Sequence, residues 1–232
     1  MVSIEVASQA GACYGVERAL KMVTDAAEKG GEVQTLGPLI HNPLVVSDLE
    51  RHGVTVADDV EAATAPTVVI RSHGVVPAVV DRARARGLQV VDATCPYVKK
   101  VQHAAERLGR EGYRVIVVGE SGHPEVEGIL GHAQGAAVVG SVADLDHVEL
   151  GRKVGVVVQT TQSRSLLREV VAELSCRVED LRVLNTICEA TSERQAAAAE
   201  LAERADAMVV IGGRNSANTT RLAEICASAC AN

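Results

Sequence analysis

Short β-branched runs alternate along the chain with longer stretches in which apolar residues recur at helical spacing. The runs at 3–7, 33–37, 67–71, 88–93, 114–119, 153–159, 181–185 and 207–213 predict strands. Between them, Gly15 to Lys29 sets Val16, Leu20 and Val23 on one stripe and stops at Gly30. Pro77 to Arg86 begins at proline and ends before Gly87, and Thr191 to Arg204 carries the alanine run 196–199. This alternation predicts an α/β chain of βα units with small parallel sheets.

A second regularity overlies the first. Cys13 is followed 24 residues on by Gly37 and 28 on by His41; Cys95 by Gly119 and His123; Cys188 by Gly212 and Ser216. Self-similarity at fixed offsets marks a repeated supersecondary unit. It divides the chain into 13–94, 95–187 and a third unit of 1–12 plus 188–232. The third copy is about half the length of the others, and residues 1–12 are expected to pair beside its last segment. Each of the three cysteines follows a predicted strand by a short turn and precedes a helix. In parallel α/β folds that edge is where binding sites are built, and a helix N-terminus favours an anionic thiolate.

Composition narrows the chemistry. The formal net charge of −7 argues against wholesale attraction to nucleic acid or anionic lipid. With three Tyr and no Trp or Phe, stacking on bases is also disfavoured. The first residues lack a cationic start and an apolar core, and no run approaches the length of a spanning helix, so a cytoplasmic protein is expected. Six cysteines in that setting favour reduced thiols, metal binding or catalysis over a disulfide framework.

One thiolate per unit fits a 4Fe-4S cluster held at three irons by Cys13, Cys95 and Cys188, with the fourth iron open to act on a substrate oxygen. Buried free cysteines most often serve as small hydrophobes, but three in phase weigh against that reading. Cys176, Cys226 and Cys230 lie outside the phase and are expected to pack. Polar turns follow the strands: 41–43, 71–74, 122–125, 159–161 and 212–218. His41, His73 and His123 fall on one presumed edge, whereas His52, His103, His132 and His147 read as structural. Imidazoles, hydroxyl and amide groups and helix-start N–H groups can together hold a diphosphate without a P-loop lysine. Glu125 is the best-placed carboxyl for a proton donor, because a dry pocket would raise its pKa; its bland alternative is a first-turn helix carboxylate.

The segments GACYGVERA at Cys13, HNP at His41, RSHGV at His73, DATCPYVKKVQ at Cys95, GHPEVEG at 122–128, QTTQS at Thr160, NTICEATSERQ at Cys188 and GGRNSANTTRL at 212–222 closely resemble, in order, the 4-hydroxy-3-methylbut-2-enyl diphosphate reductase family. The resemblance implies a trefoil of three α/β units around a central cavity, with the cluster on Cys13, Cys95 and Cys188. It implies two-electron removal of the substrate hydroxyl, giving isopentenyl and dimethylallyl diphosphates, with electrons from an external donor of ferredoxin or flavodoxin type. It also implies that His41, His73, His123, Ser216 and Asn218 surround the diphosphate. Glu125 would deliver a proton, and Thr160 would orient the hydroxyl-bearing end.

Two departures accompany the resemblance. Ala217 stands where some relatives carry a second serine, and the chain ends at Asn232 where the family continues for about another half-unit. An incomplete third unit is expected to expose sheet edges and apolar surface. The same thiols would also suit a cluster-bearing redox sensor or binding protein, or an inactive fragment; the presence of Glu125 and Thr160 favours the enzyme, since a sensor needs no proton donor.

Overall fold

The computed structural model describes residues 3–230. The first part of the chain runs α1 (Tyr14–Glu28), β1 (Val33–Leu36), α2 (Pro43–Arg51), β2 (Val54–Ala57), β3 (Thr67–Ile70), α3 (Pro77–Ala85) and β4 (Gln89–Asp92). Its strands form one parallel sheet in the order β2-β1-β3-β4. The next part repeats the plan with α4 (Pro96–Arg110), β5 (Arg114–Val118), α5 (Pro124–Leu130), β6 (Ala137–Val139), a 3-10 turn at Ala143–His147, β7 (Lys153–Val158), α6 (Arg164–Arg177) and β8 (Asp180–Val183). That sheet is also parallel, in the equivalent order β6-β5-β7-β8. Two helices complete the chain, α7 (Glu189–Ala202) and α8 (Ala217–Ala229).

Strand runs rich in valine, covered by helices, explain both sheets. In the second, Val154, Val156, Val157 and Val158 are fully buried, with alternate residues packing on α6 or on α4. In the first, Val69 packs with α1 and Val68 with the α3 side. The α/β class with small parallel sheets is thus as expected. Strands β2 and β6 escape the hydrophobic pattern because they are three or four residues long and stand at sheet edges.

The third part differs from expectation. Segments 3–7 and 207–213 carry strand-like sequence, yet neither pairs with another strand. In the second segment Met208 and Val210 pack with Cys226 of α8 and with Cys230 just past its end, whereas Val209 and Ile211 are 83% and 92% exposed. The alternation of a strand is therefore present without the backbone partner a strand requires. The N-terminal segment is tied instead to α7: Arg194 donates to the carbonyls of Gln9 and Gly11, and Arg204 pairs with Glu5. Ile4 and Val6 remain exposed. Residues 1 and 2 of the expected N-terminal pairing lie outside the described residues.

Candidate active site

All three phased cysteines occupy the same structural position, the residue that caps a helix N-terminus: Cys13 on α1, Cys95 on α4 and Cys188 on α7. The three helix starts converge on one cavity of about 510 Å³, and its wall includes all three cysteines. Cys13, Cys95 and Cys188 are free thiols. Burial pushes the Cys95 and Cys188 thiols up, and the neighbouring thiols raise them further. Against this, N–H groups of Tyr97 and Val98 favour the Cys95 thiolate, and the Thr191 hydroxyl and N–H favour that of Cys188. Thr191 Oγ1 lies 2.9 Å from Cys188 Sγ, and its N–H donates to the same sulfur.

The donor set fits an iron-sulfur cluster. Thiols that repel one another when ionised call for a cationic partner, and three of them on one wall leave a fourth position open toward the cavity. Gly15 supplies the room: a side-chain carbon there would stand 2.5 Å from Cys95 Sγ and 3.9 Å from Cys13 Sγ.

The same cavity is lined by three imidazoles. His41 precedes α2, His73 follows β3, and His123 caps α5. Their ring centres are 4.3 Å apart for His41 and His73, and 5.4 and 5.5 Å from His41 and His73 to His123. Desolvation lowers the pKa of each, that of His73 well below the usual histidine range and that of His123 to about 4, and the nearby Arg71 charge reinforces the shift. The rings are therefore neutral at physiological pH. His123 Nδ1 accepts from the Glu125 N–H, which leaves its proton on Nε2 as a donor. Both ring nitrogens of His41 and Nδ1 of His73 are sealed from solvent without hydrogen-bond partners among the described residues.

Glu125, 2% exposed, lines the same cavity. The Thr160 N–H donates to its Oε1 at 2.6 Å, and Thr160 Oγ1 lies 2.7 Å from Oε2. Burial raises the Glu125 pKa to about 7, more than the Thr160 hydrogen bonds lower it. Ser216 caps α8 through the Thr219 N–H, and Asn218 is the second residue of that helix; both line the same cavity.

The cavity therefore brings together Cys13, Cys95, Cys188, His41, His73, His123, Glu125, Thr160, Ser216 and Asn218. The model of the LytB protein family matches residues 4–232. The chain belongs to the LytB family. Within reach of that family, it is 52% identical over 226 residues to the 4-hydroxy-3-methylbut-2-enyl diphosphate reductase of Geobacter sulfurreducens, covering 97% of this chain and 80% of the relative. It is 46% identical over 227 residues to the enzyme of that name from Aquifex aeolicus, covering 96% and 78%. Among solved structures it resembles (E)-4-hydroxy-3-methyl-but-2-enyl diphosphate reductase, the terminal enzyme of the non-mevalonate pathway, with a TM-score of 0.77 and 44% identity over 100% of this chain and 84% of that one. The Plasmodium falciparum reductase overlays with a TM-score of 0.88 at 28% identity, covering 94% and 71%.

Three members of the site escape a reading based on polar motifs. Gly15 has no side chain to announce it, although its place two residues after Cys13 is visible in GACYG. Thr191 stands three residues after Cys188, the spacing of a helix cap, and so binds the sulfur. Arg71 opens the RSHG turn, but its charge contributes only because the fold brings it close enough to act on all three histidines. Of the remaining histidines, His52 and His132 bond carbonyls of their own helices, and none lines the cavity.

Proposed function

We propose that the chain reduces 4-hydroxy-3-methylbut-2-enyl diphosphate to isopentenyl and dimethylallyl diphosphates. In this reaction two electrons and two protons replace a hydroxyl by hydrogen and release water. The observation that carries the reading is a buried carboxyl, Glu125, with a pKa near 7, in one cavity with three phased thiols and a cluster of neutral imidazoles. A cluster of the 4Fe-4S type, held by Cys13, Cys95 and Cys188, would supply electrons and a Lewis-acidic iron for the hydroxyl oxygen.

The chain's own residues then have separate tasks. His41, His73 and His123, with Ser216 and Asn218, would hold the diphosphate through N–H and O–H donors. The unpartnered imidazole nitrogens support this, because a buried polar atom without a bond is costly until a ligand satisfies it. Glu125 holds a proton at neutral pH because the dry site disfavours its charge. When the proton sits on Oε2, Glu125 donates to Thr160 Oγ1, and the threonine hydrogen is free to turn toward the substrate hydroxyl. The pair can in this way pass a proton without either group leaving its place. Apolar side chains of Val16, Leu20, Ile40 and Val45 on the cavity wall suit the hydrocarbon part of the substrate and exclude water.

The reading includes three units, 13–94, 95–187 and 1–12 with 188–232, an external one-electron donor of ferredoxin or flavodoxin type, and a cytoplasmic location. No helix among the described residues is long and apolar enough to cross a membrane. Anaerobic purification with iron and sulfide analysis, followed by turnover with a one-electron donor, tests the proposal. About four irons per chain and formation of the two diphosphate products are expected. Iron without turnover would mean a sensor or binding protein, and neither would mean an inactive fragment.

A further inference from the structure

The two sheets make an internal comparison at one position. One residue past the last strand pair, Gly37 stands beside Arg71 in the first sheet, and Gly119 beside Gln159 in the second. Each glycine leaves space for the side chain next to it. A carbon added at Gly37 would meet Arg71 Nη1 at 2.8 Å, and one added at Gly119 would meet Gln159 Oε1 at 2.9 Å. The niche is the same, but the occupants differ in charge and in satisfaction. Gln159 is fully buried and fully employed: its Oε1 accepts from the Glu120 N–H, and its Nε2 donates to Thr161 Oγ1. Arg71 has no ion pair and no side-chain hydrogen bond among the described residues, and its Nε is sealed from solvent. Arg194 and Arg221, by contrast, are committed, the first to the carbonyls of Gln9 and Gly11 and the second to Glu120 and Glu224; Arg214, in the turn beside Ser216, is exposed to solvent.

The Arg71 Nε is cut off from water with no carboxylate beside it, which is unfavourable in the ligand-free protein, while the terminal nitrogens are not sealed. Its charge acts on all three imidazoles, whose own nitrogens include unpartnered atoms. As a donor set the three rings would suit a divalent metal, since one ligand atom from each lies within 4.8 Å of the others. The Arg71 charge opposes a cation there and favours an anion. We infer that Arg71 is a positioning residue for the substrate's diphosphate: its uncompensated charge, acting on His41, His73 and His123, makes this end of the cavity a metal-independent site for a multiply charged phosphate anion. The inference rests on the reductase reading and deepens it by assigning the charge that draws in the headgroup. Field rather than contact is the means, so the effect falls on binding and not on the chemical step.

Calorimetric titration of the cluster-loaded protein with inorganic pyrophosphate, without added metal, tests this on the wild type, Arg71→Met and Arg71→Lys. Methionine fills the niche without charge, and lysine restores the charge without the planar fork. Arg71→Met is expected to weaken pyrophosphate binding by about tenfold or more, with the gap narrowing as salt is raised. Arg71→Lys recovers most of the loss. Steady-state turnover shows the same residue as a raised KM with kcat within about twofold. Melting of the ligand-free Met variant is not lowered, because the unpaired charge is gone; a merely structural arginine would lower it. Pyrophosphate affinity unchanged in Arg71→Met overturns the inference, as does a loss of affinity that accompanies a lower ligand-free melting temperature and is not restored by lysine. Wild-type binding that is absent, or that requires added Zn²⁺ or Mn²⁺, overturns it also. Wild-type turnover alongside an unaffected Met variant removes the inference and leaves the reductase reading, whereas Arg71-dependent pyrophosphate binding without any turnover does the reverse.

Discussion

The two sheets share strand order, parallel register and a cysteine at the helix start, yet they bring different chemistry to the cavity. At the ends of β1 and β3 the first sheet places His41, Arg71 and His73, a neutral and cationic set that suits an anion. At the ends of β5 and β7 the second places His123, Glu125 and Thr160, in which a buried carboxyl is held by a threonine. A repeated fold thus fixes where functional groups emerge, while the residue at each outlet sets the task. The contrast between Arg71 and Gln159 shows it most plainly: the packing niche is equivalent, and only the charge distinguishes a binding wall from a structural one. The third part, α7 with α8, contributes Cys188, Ser216 and Asn218 but no sheet, and its extended apolar segments stay unpaired.

If each part contributes one indispensable thiol, the largest effect comes from removing any of them. Cys95→Ser should lose cluster iron and reduce turnover below detection, measured by iron analysis beside the assay; full iron retention would break the equivalence of the three cysteines. A smaller loss is expected from Gly15→Val, whose side chain would intrude on the Cys13 and Cys95 sulfurs. Its cluster affinity should fall by about 10- to 100-fold, read by chelator competition, with the fold retained by circular dichroism.

A third prediction isolates the Glu125 carboxyl by pH. The Glu125 pKa in the folded protein, about 7, lies above its ordinary 4.5, so the folded state keeps a proton that the unfolded state releases. Stability from this group is intact below about 4.5 and is lost as pH rises to about 7. Glutamine does not titrate. Denaturant titration of cluster-free Glu125→Gln should show it gaining on the wild type across this window, by on the order of 3 kcal/mol, and no further above it. The histidines of the first sheet act in the opposite direction, their depressed pKa values costing stability as pH falls below the usual histidine range.

The smallest effect concerns the third part. Ile211 is 92% exposed, so Ile211→Thr should change unfolding free energy by no more than about 0.5 kcal/mol while reducing aggregation in light scattering.

Much of this arrangement is legible in the sequence, for physical reasons that differ by residue. The valine runs of β5 and β7 reveal themselves because burial on both faces demands an uninterrupted apolar strand. The cysteine, glycine and polar offsets point to one cavity because equivalent positions in repeated βα units emerge at equivalent edges. Segments 3–7 and 207–213 mislead because the strand pattern records a preference for an extended, half-buried chain, whereas pairing depends on a neighbour that local sequence does not specify. Arg71 stays hidden for a related reason: an arginine in a turn is ordinary, and its lack of a counter-ion emerges only in three dimensions. Glu125 reads from sequence as a dry-pocket carboxyl or, less informatively, as a first-turn helix residue, and what distinguishes the two is the contact with Thr160 past the end of β7.

The central claim is that the second sheet's carboxyl supplies a proton to chemistry performed at thiols drawn from all three parts. Turnover of cluster-loaded Glu125→Gln, with iron content and pyrophosphate affinity measured on the same preparation, tests it most directly. The account predicts wild-type iron and wild-type pyrophosphate binding with turnover reduced by about 10²- to 10⁴-fold. Turnover near the wild-type rate, or loss of iron together with activity, would contradict it.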